Sequence, residues 1–275
     1  MKALGRAREL LPDDWMCSYF IGEVQQQVGQ YQEAINTFES ILVHRPSEVG
    51  VLMALGQTHL DLGRSEISTG FPTRAEQSFV ASICTALQAI NDNPGFRAVA
   101  WKVVADAVFH LSSCPCFKAE EKELVELSEV TSLVSGELSD RLSGILTSSD
   151  LQNVSSFNEL KVLEIAIAAY DYRISLSSSE SLSNGSAWYD LGVALNCWSK
   201  KTRNPEGRLK ADQEAISCLK EALLQDAGTD LYWNALGNIN FEDKPKVAQH
   251  AYIKALEIDS KVRSSPIGNK RSPLI

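Results

Sequence analysis

His110, Cys114 and Cys116 come nearer to a metal site than any other residues of this chain: one imidazole and two thiols within a short stretch. A structural zinc ion takes four such donors, usually as two pairs at set spacings. No second pair follows downstream, so a helix end with two buried thiols is the better account. Asp13 and Asp14 have the types of a paired general acid and base. Their place just before a helical stretch makes them helix-start charges, stabilised by the helix dipole. Trp15, Trp101, Trp188, Trp198 and Trp233 offer rings on which bases stack, and Lys200, Lys201, Arg203, Arg208 and Lys210 read as a basic loop. Against nucleic acid stands a formal net charge of -9, which repels phosphate backbones. The chain has no Gly-rich phosphate cradle, no His-Glu-x-x-His pair and no Gly-x-Ser-x-Gly elbow. His44, His59 and His250 have no nucleophile or carboxylate partner in the sequence. The acidic stretch Glu120 to Glu129 reads as a solvated helix face; its alternative is an enzyme site in the middle of the chain. We therefore expect no catalytic residue, no cofactor and no metal.

The elements that would position these residues are helices. Apolar residues recur at three- and four-residue spacing through Ala34, Phe38, Ile41 and Leu42, through Ala215, Leu219, Ala222 and Leu223, and through Ala248, Tyr252, Ala255 and Leu256. Strand-like alternation is not sustained, so the chain reads as all-α. Hydrophobic residues make up 44% and charged residues 22%, as in an ordinary globular protein. No stretch approaches the roughly 20 apolar residues of a membrane-spanning helix, and Met1 to Leu11 lacks the apolar centre of a secretory signal. Six scattered cysteines in helical contexts suit reduced core thiols. The glycosylation patterns at Asn153 and Asn184 then read as chance matches in Ser-rich stretches.

The helices pair with a recurring signature. Ile21-Gly22 is followed by a turn at Gly29, then Tyr31, Ala34, Phe38 and Pro46. Leu52, Leu55-Gly56, His59-Leu60 and Gly63 open a second pair. Trp188, Leu191-Gly192 and Leu195 open a third, answered by Ala215, Leu219 and Ala222. Trp233 and Leu236-Gly237 open a fourth, answered by Ala248, Tyr252 and Ala255. This is the tetratricopeptide pattern, whose ideal period of about 34 residues separates Gly22 from Gly56. Gly on the first helix admits a neighbouring backbone, the small Ala of the second does the same from the facing side, and a large ring fills the wedge. Pro46 stops a helix, and Trp101, Trp188 and Trp233 are assigned to the wedge. Extra sequence, Ser65 to Thr73, precedes a helix from about Arg74 to Ile90, and another first helix runs through Trp101 to Phe109. The expected organisation is residues 1–11 as the end of a preceding repeat or a leader, 12–113 as hairpins, 114–157 as an irregular insertion with an acidic helix and a Ser-rich loop, 158–260 as hairpins, and 261–275 as a disordered tail. The fold expected is an α-solenoid of tetratricopeptide hairpins with irregular insertions. Its last hairpin is expected to expose apolar surface near Asp259.

Three stretches resemble more than the repeat class. They are Leu231 to Gly237 followed by Ala248 to Ala255; Leu55-Gly56, His59-Leu60, Ala86-Leu87-Gln88 and Trp101 to Ala107; and Ala187 to Gly192 followed by Cys218 to Ala222. Together they resemble an internal portion of the family of the tetratricopeptide scaffold of the superkiller complex. The resemblance implies a non-catalytic scaffold that joins an RNA helicase subunit to WD-repeat subunits and assists the RNA exosome in 3'-to-5' decay of messenger RNA. It implies a cytoplasmic protein, with the nucleus as a second compartment, and no direct contact with nucleic acid or membrane. The alternative is a generic adaptor or co-chaperone holding a peptide in its concave groove. Tyr19, Glu23, Ala54 and Gln57 leave the first hairpins without the cations of a carboxylate clamp.

Overall fold

The computed structural model describes residues 14–92, 95, 97–114, 121–152, 158–177 and 185–264, and among them every regular element is helical. The chain divides into two compact units, Met1–Leu138 with Leu146–Leu176, and Ser139–Ile145 with Ser177–Ile275.

In the first unit, α1 (Trp15–Gln27) pairs with α2 (Tyr31–Leu42), and α3 (Val49–Ser68) with α4 (Pro72–Asp92). The Asp14 carboxylate accepts the Met16 N–H at 3.0 Å and so caps an orphan donor of α1. Both hairpins turn on a glycine in the left-handed region, Gly29 at φ 80° and Gly70 at φ 86°. Around each, the next residue's N–H reaches back to the helix, Gln30 to Gln25 at 2.9 Å and Phe71 to Glu66 at 2.8 Å, closing the helix end as a Schellman motif. The first helix of the third hairpin, α5 (Arg97–Leu111), does not meet its partner at once. Next come α6 (Glu121–Val134) and α7 (Ser148–Gln152), and then α8 (Glu159–Ser177) packs on α5. The Trp101 indole stands edge-on to Tyr172, with ring centroids 5.0 Å apart.

The second unit pairs α9 (Gly185–Lys201) with α10 (Pro205–Gln225), and α11 (Asp230–Asn240) with α12 (Pro245–Ser264). Asn204 caps α10 and Pro205 takes its first position, where the missing N–H costs nothing. Residues 139–145, with a single 3-10 turn at Asp140–Leu142, lie against α9. The Arg141 guanidinium sits over the Trp188 ring at 4.4 Å, and Leu142 is buried. Arg141→Ala is expected to lower the stability of this unit by about 1 kcal/mol, read as a shift in the urea midpoint. In a Trp188→Leu background, where no indole lies beneath the guanidinium, the same substitution should cost less.

Several expectations are corrected. Lys200 to Lys210 is not a long loop: α9 runs through Lys201 and α10 starts at Pro205, so Arg208 and Lys210 are helical. Ser65 to Thr73 is largely helix, since α3 continues to Ser68. Within Ser135 to Ser156 lie the 3-10 turn and α7, and Leu142, Leu146 and Leu151 are buried, so this stretch is not an exposed loop throughout. Pro46 lies beyond the end of α2 at Leu42, exposed in the connection to α3, so it does not itself end the helix. Residues 261–264 are helical rather than part of the tail. The N-terminal segment before Asp14, the asparagines of both glycosylation patterns (Asn153 and Asn184) and residues 265–275 lie outside the described residues.

Candidate interaction surface

Four hairpins, α1 with α2, α3 with α4, α9 with α10 and α11 with α12, interlock at a glycine, and the partner is mostly a ring rather than a backbone. A Cβ on Gly22 would stand 2.6 Å from the Phe38 ring; on Gly237, 2.5 Å from that of Tyr252; on Gly63, 2.5 Å from that of Phe79. Gly192 alone in this set meets backbone, the Ala215 carbonyl at 3.1 Å, with Leu219 beside it. A Cβ on Gly56 would find nothing closer than 3.6 Å. The close approach in the second hairpin therefore falls at Gly63, two helical turns past Gly56, because α3 carries extra turns at its start. Phe38, Ala34, Ala215, Ala222, Ala248 and Ala255 are all buried, as is Trp101. Trp188 and Trp233 are only half-buried. Trp233 donates its indole N–H to the Ala227 carbonyl at 3.0 Å. Of the tryptophans left without a place, Trp198 is buried and Trp15 lies under the Arg45 guanidinium.

The first unit also holds a ladder of polar side chains across successive hairpins. Gln26 of α1 and Gln57 of α3 donate to Asp61 at 2.9 and 3.0 Å. Arg64, a turn further on, reaches Asp61 at 3.4 Å and donates to His110 Nε2 at 2.9 Å and to Asp106 at 3.1 Å. Asp106 also receives Lys102 at 3.0 Å and the Tyr170 hydroxyl at 2.8 Å. Burial alone would raise the Asp106 carboxyl, but Lys102, Arg64 and Tyr170 together outweigh it and hold it below the usual range.

His110 accepts a hydrogen bond at Nε2, so its proton sits on Nδ1 and the ring is neutral. Burial first, then the Arg64 charge, pushes it down to about 4. The unfolded chain takes up this proton before the folded one, so the site's contribution to stability is complete above about pH 6.5 and drains away towards pH 4. Between pH 7 and pH 5 the loss is expected to be about 2 kcal/mol in chemical denaturation. His110→Asn, which does not titrate, should flatten that dependence. A neutral acceptor already engaged by arginine is no general base. The Cys114 thiol nearby is pushed up to about 12 by burial first and then by the Glu76 charge, so it is no nucleophile. Cys116 lies outside the described residues. Among those described, no three His, Cys, Asp or Glu side chains gather as a metal site, and no helix is long and apolar enough to cross a membrane.

The second unit presents its first-helix face differently. Between α9 and α11 a cleft of about 250 Å³ is floored by Gly192 and lined by Asn196, Asn234 and Asn238. Asn196 and Asn238 also line an adjoining cavity of about 430 Å³, with Lys200 and Arg208 on one side and Glu242 and Asp243 on the other. Asn238 accepts the Tyr252 hydroxyl at 2.8 Å, which holds its amide oxygen. Side-chain amides in a row, flanked by charges of both signs, suit the alternating donors and acceptors of an extended peptide. Sequence reasoning missed both features. Lys102–Asp106 and Asp61–Arg64 have the spacing of helical ion pairs, but nothing local joins them.

No family model matches the chain. It is 26% identical to tetratricopeptide repeat protein 37 of Xenopus laevis over 94% of its length, covering 15% of that protein. It is 26% identical to superkiller protein 3 of Schizosaccharomyces pombe over 91% of its length, covering 18% of that protein. The human superkiller complex protein 3 is 26% identical over 86% of the chain, covering 14% of the relative. The chain thus spans under a fifth of the length of the curated relatives it matches. Among solved structures, MamA superposes with a TM-score of 0.49 at 16% identity, over 89% of this chain and 98% of that one.

Proposed function

We propose that this chain, which belongs to the tetratricopeptide family of the superkiller 3 proteins, is a non-catalytic scaffold that docks other proteins on the first-helix face of its second unit. One observation carries this reading. Gln57, Asp61, Arg64, Lys102 and Asp106 on the first helices of the first unit are engaged in its own ladder, whereas Asn196, Asn234 and Asn238 line an open cleft. By its kinship with superkiller complex protein 3, the partners are the RNA helicase and WD-repeat subunits of the superkiller complex. The process is exosome-assisted 3'-to-5' decay of messenger RNA in the cytoplasm. Affinity purification of the chain from cells is expected to recover both kinds of subunit, and Asn196→Ala with Asn238→Ala to reduce that recovery several-fold. Recovery of neither subunit by the wild-type chain would overturn the assignment.

A second reading, an adaptor for a peptide carboxylate, draws on Lys200 and Arg208 beside Asn196. Arg208 lies 4.0 Å from Asp212, and Glu242 and Asp243 balance the remaining charge. Calorimetry with a peptide ending in acidic residues is expected to show no binding above the weak millimolar range.

A further inference from the structure

We infer that the cavity of about 430 Å³ beside Asn196 and Asn238 takes an extended segment of a partner protein bearing one acidic and one basic side chain. This rests on the docking reading above and deepens it, by naming the chemistry of the segment that docks. The cavity has walls of opposite sign. Lys200, near the end of α9, and Arg208, in the first turn of α10, stand on one side. Glu242 and Asp243, in the turn between α11 and α12, stand on the other. All four are exposed. Among the described residues, Lys200, Glu242 and Asp243 enter no ion pair, and Arg208 has only Asp212, at 4.0 Å.

The signs decide between occupants. An acidic peptide suits Lys200 and Arg208 but is repelled by Glu242, Asp243 and Asp212, which also lines the cavity. A basic peptide meets the reverse conflict. An apolar helix would cover charges of both signs and leave them without partners, which is costly. A segment with one charge of each sign complements both walls. The spacing of those charges follows from the helices. First helices α9 and α11 are direct neighbours, and packed helices lie roughly 10 Å apart. An extended chain advances about 3.3 Å per residue, so the acidic and basic residues stand about three positions apart. Asn196 and Asn238 line the same cavity, and a side-chain amide carries both donors and acceptors for a peptide backbone. The exposed Phe241 ring, also in the lining, offers apolar surface to the aliphatic stem of the basic residue.

The test is selection of a phage-displayed library of random dodecapeptides on the full chain. Enriched sequences are expected to carry Asp or Glu two to four residues from Lys or Arg. Against a chain with Lys200→Glu and Arg208→Glu, the selected peptides should instead carry two basic residues. Against Glu242→Lys with Asp243→Lys, they should carry two acidic ones. An unchanged circular dichroism spectrum checks that the variants fold. In calorimetry, replacing the acidic residue of an enriched peptide by its amide should cost several-fold in affinity for the wild type, and little for the Lys200→Glu, Arg208→Glu chain. Absence of enrichment, enrichment of apolar sequences, or selections indifferent to the charge reversals would overturn the inference. If Asn196→Ala with Asn238→Ala still reduced recovery of the cellular partners, the docking face would stand and only this inference would fall.

Discussion

Phe79→Ala is expected to destabilise the first unit by about 3–5 kcal/mol, measured by urea denaturation. The ring is fully buried and fills the groove left by Gly63, so its removal opens a cavity in the heart of the second hairpin. The companion glycine gives the experiment its sign. Gly63→Ala drives a methyl group into that ring and is expected to cost about 1–3 kcal/mol, only partly offset by alanine's helix propensity. In the Phe79→Ala background the same substitution meets open space, and propensity alone should make it stabilising by up to about 1 kcal/mol. Gly56→Ala, with ordinary contacts around its new Cβ, is expected to be neutral or slightly stabilising in either background. A Gly63 effect that ignores Phe79 would show that the ring and the glycine are not interlocked.

Asp106→Ala is expected to cost about 3–4 kcal/mol, in the lower part of the range for a broken buried ion pair. The carboxylate is nearly buried, whereas the Arg64 and Lys102 side chains are 39% and 35% exposed and regain water when it is lost. Tyr170→Phe removes one hydrogen bond of the same hub and should cost about 1 kcal/mol. The double variant should cost less than the sum, because the bond from the hydroxyl to Asp106 is already lost in Asp106→Ala. Strict additivity would mean that Asp106 does not tie α8 to α5.

The helical class, the pairing of helices and their kinship were legible because each rests on local spacing. Ala34 with Phe38, and Ala248 with Tyr252, lie within one helix, and a ring four residues after an alanine needs no tertiary knowledge to be read as a buried face. The register of α3 was not legible from the ideal repeat length, which points to Gly56. What decides it is the turn at Gly70, matching the one at Gly29, and that turn aligns Gly63 with Gly22. The ladder was hidden for another reason. Arg64 and Asp106 are 42 residues apart, and Asp106 and Tyr170 are 64 apart, so their meeting depends on how whole hairpins stack. Likewise the Asn196–Asn238 cleft exists only once α9 and α11 lie side by side. Polar residues on first helices look alike in sequence whether the neighbouring hairpin consumes them or leaves them open.

That difference between the two units is the centre of the account, and hydrogen–deuterium exchange of the chain with and without its purified partner tests it most directly. Partner binding is predicted to slow exchange in α9 and α11, residues 185–201 and 230–240, while α1, α3 and α5 exchange as in the free chain. Protection confined to α1, α3 and α5, or absent from α9 and α11 in a saturated complex, would contradict it.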